Sequence, residues 1–140
     1  MSADNINRAF LDTNIFIYMY AVSEPHKKET SLSLLDSCDC VTSTQAINEI
    51  CNVLTRKIRT PFEDIRKIVN DIYNICEVRL IQKQTGLNTI DLKERYGFSF
   101  YDSLMLSSAL ESNCNILYSE DMADGQTIEG KLKIVNPFKK

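Results

Sequence analysis

The chain has one histidine, His26, four glycines and three prolines among its 140 residues. A lone histidine excludes the His-rich zinc centres, which need about four His or Cys ligands. It is compatible with chemistry run by carboxylates alone. The five cysteines do not fill the gap, because Cys38 and Cys40 form a C-x-C with no second pair, leaving Cys51, Cys76 and Cys114 scattered. An odd count without framework spacing excludes a disulfide scaffold and fits free thiols in a reducing compartment. So few glycines and prolines exclude long flexible loops, and no repeat, low-complexity segment or linker is present. No apolar run approaches the roughly 18 residues that cross a bilayer. The polar start, Met1 to Asn7, carries no secretory apolar core. Together these absences lead to the expectation of a cytoplasmic protein without a membrane span.

The residues that are present describe one domain, 1–140. A hydrophobic fraction of 44% suffices for a core at this length, and 25% charged residues is ordinary for a soluble fold. The net charge of −3 argues against a nucleic-acid partner, but setting aside four acids that share one site turns it into +1. Divalent cations bound there reverse the local field again.

Short apolar runs alternate with helical patterns. Strands are expected at residues 8–11, 40–42, 77–80, 115–118 and 133–136. Asp12-Thr13-Asn14 suits a helix start. Pro25 opens a helix to about Ser37, with Leu32, Leu34 and Leu35 inward. Ile47, Ile50, Cys51, Leu54 and Ile58 recur at helical spacing, predicting one amphipathic helix over 44–58. Thr60-Pro61-Phe62-Glu63 reads as a capping box with Pro at the first helical position, opening a helix to about Ile75. Residues 84–96 read as a helix stopped by Gly97, and Ser99 caps another through about Ser112. The alternation predicts an α/β fold with a mainly parallel sheet of four or five short strands. Such sheets bind ligands beyond their carboxyl ends.

Four acids fall near that edge. Asp12 follows the first strand and Asp121 the fourth. Glu49 lies in the helix after the second strand, and Asp102 in the first turn of the helix before the fourth. Each has an ordinary alternative: Asp12 an N-cap, Asp102 a capping partner of Ser99, Glu49 a solvated helix residue, Asp121 a turn former. Taken together, clustered carboxylates repel unless a hard cation holds them, and such cations prefer oxygen ligands. Mg²⁺ or Mn²⁺ can then grip a phosphodiester, lower the pKa of a bound water and stabilise the leaving oxygen.

The ordered segments Phe10-Leu11-Asp12-Thr13-Asn14, Asn48-Glu49-Ile50, Phe98-Ser99-Phe100-Tyr101-Asp102-Ser103-Leu104 and Leu117-Tyr118-Ser119-Glu120-Asp121-Met122 resemble the PIN-domain family. Within it they are most similar to the VapC-like toxins of toxin–antitoxin modules. The resemblance runs from about Arg8 to Phe138. It implies a three-layer α/β/α fold and an endoribonuclease using Mg²⁺ or Mn²⁺, with Asp12, Glu49, Asp102 and Asp121 as catalytic and metal-binding residues. It further implies Thr13, Asn14 and Ser119 as supporting polar groups, products with 5′-phosphate and 3′-hydroxyl ends, a homodimer, and inhibition by a cognate antitoxin. Glu120 and Asp124 compete with Asp121 as the fourth ligand.

Candidate RNA contacts are Arg56, Lys57 and Arg59, with Lys27 and Lys28. Each is otherwise a solvated surface charge. Phe100 and Tyr101 can stack on a base, although aromatics at a helix start are more often core. An apolar face on residues 65–73 serves either a dimer interface or the monomer's own core. Two other function classes compete. A phosphoacceptor or haloacid-phosphatase domain also places Asp after its first strand, but the phosphatase pattern wants a second Asp where Asn14 stands, and Asp4 is too far away for the receiver pattern. A non-catalytic PIN-like RNA-binding module would be marked by lost acids, and all four are present.

Overall fold

The computed structural model describes residues 6–139. Expectations placed on Met1 to Asn5 and on Lys140 of the terminal lysine pair lie outside the described residues. Among those residues no helix is long and apolar enough to cross a membrane.

The chain opens with β1 (Asn7–Leu11), α1 (Thr13–Tyr20), α2 (Pro25–Ser37), β2 (Cys38–Ser43) and α3 (Thr44–Val53). A π-helical turn, Leu54–Ile58, extends α3. There follow α4 (Phe62–Ile75), β3 (Glu77–Arg79), α5 (Lys83–Tyr96), α6 (Phe100–Glu111), β4 (Ile116–Tyr118), β5 (Thr127–Ile128) and β6 (Leu132–Val135). Six strands form one sheet in the order β3-β2-β1-β4-β6-β5. All neighbours are parallel except the β5–β6 pair. The two-residue β5 is the strand that periodicity does not reveal, because it has no length over which to alternate.

Side chains alternate across the sheet and serve two cores. Ala9 and Leu11 of β1 face a cluster with Ile15 and Phe16 of α1, Ile47 and Ile50 of α3, and Ile65, Ile68 and Ile72 of α4. Phe10, on the opposite face, packs with Leu92 of α5, Leu106 and Ala109 of α6, and Leu117 and Ile134. The α1–α4 layer and the α5–α6 layer therefore sandwich the sheet, which is why its strands read as short continuous apolar runs. Ile65, Ile68 and Ile72 assign the apolar face of 65–73 to the monomer's own core.

Three local expectations are corrected. Leu32 is 42% exposed, because it stands about 200° round α2 from buried Leu34. Pro61 occupies the N-cap of α4 instead of its first helical position, and no side chain caps that end. The Pro61 carbonyl instead accepts from Asp64 and Ile65 N–H. The helix expected over 44–58 changes at Leu54 into the wider π turn, which carries Ile58 off the buried stripe to 50% exposure.

Candidate active site

The chain passes from β1 to β2 on one side of the sheet, while β4 lies on the other side of β1. This is a topological switch point, where the loops leaving two adjacent strands diverge and open a crevice at their carboxyl ends. Leu11 is in register with Tyr118, so Asp12 and Ser119 leave the sheet side by side. The Asp12 N–H donates to the Tyr118 carbonyl at 3.1 Å, continuing the ladder one step.

Asp12 is held from both sides. Its Oδ1 accepts from Thr13 N–H at 2.5 Å, which makes it the N-cap of α1. Its Oδ2 accepts from the Ser119 hydroxyl at 2.8 Å. Only 7% of Asp12 is exposed. Burial pushes its pKa up to about 6; the Ser119 and Thr13 hydrogen bonds oppose the rise, and the charges of Asp102 and Glu49 add to it. N-cap and site residue are thus the same role here, because a helix start is a local source of N–H donors.

Glu49 projects from α3, whose start is fixed by the Ser43 hydroxyl accepting from Ala46 N–H at 3.2 Å. Its carboxylate accepts from the Thr13 hydroxyl at 2.8 Å and from the Gln45 amide at 3.3 Å. Asp102 sits in the first turn of α6, where its N–H donates to the capping Ser99 hydroxyl at 3.1 Å. Its carboxylate accepts no hydrogen bond among the described residues. Asp121 accepts from the Asn14 amide at 2.9 Å, and its N–H donates to Ser119 Oγ at 3.3 Å. Thr13, Asn14 and Ser119 therefore each hold an acid.

A cavity of about 280 Å³ is lined by Asp12, Glu49, Asp102 and Asp121 together with Thr13 and Asn14. Asn52, Val53, Tyr101 and Met105 complete its wall. Sequence reasoning did not find Asn52. The available signal was its place three residues after Glu49, on the same face of α3. No basic side chain lines the cavity: Arg56, Lys57 and Arg59 lie exposed on the π turn and just past it.

Glu120 and Asp124 point elsewhere. The Glu120 carboxylate accepts from the Tyr18 hydroxyl at 2.6 Å and pairs with Lys27 at 2.5 Å. Burial works against its charge, but the Lys27 and Tyr18 hydrogen bonds outweigh that and hold its pKa below the usual range. Lys27 in turn sits over the Tyr18 ring, which meets Phe138 edge to face. This anchor turns Glu120 toward α1 and α2, while Asp121, one residue on, lines the cavity. It also removes Lys27 from the free cations. Asp124 accepts from Asn136 N–H at 2.8 Å.

Apart from the Met105 thioether, the donor set round the cavity is oxygen, in four carboxylates, the Asn14 and Asn52 amides and the Thr13 and Tyr101 hydroxyls, and this is the chemistry a hard divalent cation takes. The raised pKa of Asp12 marks a buried negative charge that neighbouring acids leave uncompensated. Among the described residues no three His, Cys, Asp or Glu side chains are set close enough to close a ligand shell by themselves. The residues thus fit a cation in donor type and in sharing one cavity.

The family model of the PIN domain matches residues 9–123. No curated protein matches the chain. Among solved structures, a toxin–antitoxin complex from Klebsiella pneumoniae is similar with a TM-score of 0.72 at 16% identity, covering 94% of this chain and 99% of that one. The Mycobacterium tuberculosis toxin VapC20, described as cleaving the sarcin–ricin loop, is similar with a TM-score of 0.63 at 16% identity, covering 81% and 89%. FitAcB from Neisseria gonorrhoeae gives 0.62 at 13% identity, covering 93% and 98%. Likeness at these identities is a likeness of fold.

Proposed function

The chain belongs to the PIN domain family, and from that premise we propose that it is a divalent-metal-dependent endoribonuclease, the toxin of a toxin–antitoxin pair. The observation that carries the reading is the meeting of Asp12, Glu49, Asp102 and Asp121 round one cavity at the switch point of the sheet. A partner of the antitoxin kind is supported by the similar solved structures, which include toxin–antitoxin complexes. RNA as substrate, a homodimer and a cytoplasmic location belong to the same proposal.

In this reading Asp12, Asp102, Asp121 and Glu49 hold Mg²⁺ or Mn²⁺. When bound, the cation neutralises phosphate charge and acts as a Lewis acid toward the phosphodiester. The chain's own groups do the rest. Thr13 N–H and Ser119 fix the two Asp12 oxygens, so that the acid presents one orientation to the cavity. Thr13 and Gln45 fix Glu49 in the same way. Asp102, whose carboxylate accepts no hydrogen bond among the described residues, is the group left to take a proton from an attacking water. Because water attacks, the reaction itself does not require the ribose hydroxyl, and preference for RNA must come from contacts to bases and backbone. Arg56, Lys57 and Arg59 are proposed to contact backbone phosphates leaving the cavity.

The test incubates purified protein with total RNA in Mg²⁺, in Mn²⁺ and in EDTA, beside Asp12→Asn and Asp102→Asn. Cleavage is expected with either metal, with loss of about 100-fold or more in both folded variants. Cleavage that persists in EDTA or in the variants would sink the reading.

A further inference from the structure

The mouth of the acidic cavity carries aromatic surface for which the fold has no use. Phe100 and Tyr101, read in the sequence either as stacking groups or as core, are 43% and 56% exposed, and their rings meet edge to face with centroids 5.6 Å apart. Tyr101 directly precedes Asp102 and lines the cavity beside Glu49 and Met105. The same three residues also line a narrow cleft whose other walls include Gln45 and Leu104. That cleft encloses only about 10 Å³, so room for a base lies on the cavity side of Tyr101.

Neither the cavity nor the cleft is lined by a lysine or arginine. A nucleotide entering there meets no side-chain cation, so the groups available to hold it are an aromatic ring, a thioether and an amide. These are the groups that bind a base: a ring stacks on its face, and an amide meets its edge. Resting on the nuclease reading, we infer that Tyr101, braced by Phe100 and set in the cavity wall with Met105 and the Asn52 amide, forms a subsite for one unpaired nucleobase next to the scissile phosphate. Stacking needs an open base face, and in a duplex the neighbouring bases occupy it. The subsite therefore selects single-stranded or looped RNA. It tolerates many sequences, since every base has a face to stack.

The test uses the Asp12→Asn protein, so that the probes stay intact. Its affinity is measured by fluorescence anisotropy for labelled oligoadenylate, oligouridylate, and an oligomer of equal charge made of abasic ribose phosphates. The base-bearing oligomers are expected to bind about ten-fold tighter than the abasic one. Adding Tyr101→Ala should erase that difference, and Tyr101→Phe should keep it. Because Tyr101 is exposed, both variants should retain the far-UV spectrum and melting temperature of their parent. Equal affinity for base-bearing and abasic oligomers, or a difference that survives Tyr101→Ala, overturns the subsite and leaves the nuclease reading standing. No binding of any of the three overturns the nuclease reading, and the subsite with it.

Discussion

Asp12 is an acid that the fold buries and then equips with donors. Its pKa of about 6, against an ordinary 3.8, means that the native protein holds this proton more tightly than the unfolded chain does. Between about pH 4 and 6 the native state holds a proton that the unfolded chain has released. Stability should therefore fall as pH rises through that window and stay lower above it, by about 3 kcal/mol. Urea denaturation in EDTA across the window, compared between the parent and Asp12→Asn, isolates the effect. The parent should lose stability that the variant keeps; parallel curves would show that burial is not the cause. The other three acids were equally readable as positions in the sequence. Their partners were not, because Thr13 to Glu49 and Asn14 to Asp121 are bonds between segments far apart in the chain.

Among the elements, α3 shows where periodicity stops being informative. Its apolar spacing runs on through Ile58, yet the backbone widens at Leu54 and ends with Arg59 at a φ of 58°. The Thr60 N–H then donates to the Leu54 carbonyl at 2.8 Å, closing the turn. A left-handed residue other than glycine is strained, so Arg59→Gly should raise unfolding free energy by about 1 kcal/mol in chemical denaturation. If Arg59 also contacts phosphate, the same variant should bind RNA more weakly and with a shallower dependence on salt. A variant less stable than its parent would contradict the argument from strain. Helix ends also separate local from tertiary control. Ser99 caps α6 and Gly97, at a φ of 79°, ends α5, as their sequence positions predict. The start of α4 departs from its capping-box sequence, because the Thr60 backbone is already committed to Leu54.

For the molecule as a whole, four carboxylates round one cavity are a standing cost that a bound cation would offset. Whatever binds the native state and not the unfolded chain stabilises it, by about 2.7 kcal/mol when the ligand is at a hundred times its dissociation constant. Mn²⁺ should therefore raise the melting temperature of the protein, and the rise should shrink in Asp12→Asn. This readout needs no RNA and no turnover. An unchanged melting temperature in saturating Mn²⁺ would remove the metal from the proposal while leaving the fold untouched.

The sequence by itself determined the α/β architecture and the places of the four acids along it. Buried parallel strands leave short apolar runs, helices leave a periodic stripe, and residues at strand ends can be read directly from that alternation. Only the tertiary structure decided which acid of the fourth segment lines the cavity. Glu120 and Asp121 are adjacent and chemically alike, and it is Lys27 of α2 and Tyr18 of α1 that draw Glu120 away. Tertiary structure also decided that Phe100 and Tyr101 lie outside the core, because the buried part of α6 begins only at Ser103. Local pattern sets where a residue sits on its own element. What that residue meets depends on segments that only folding brings near.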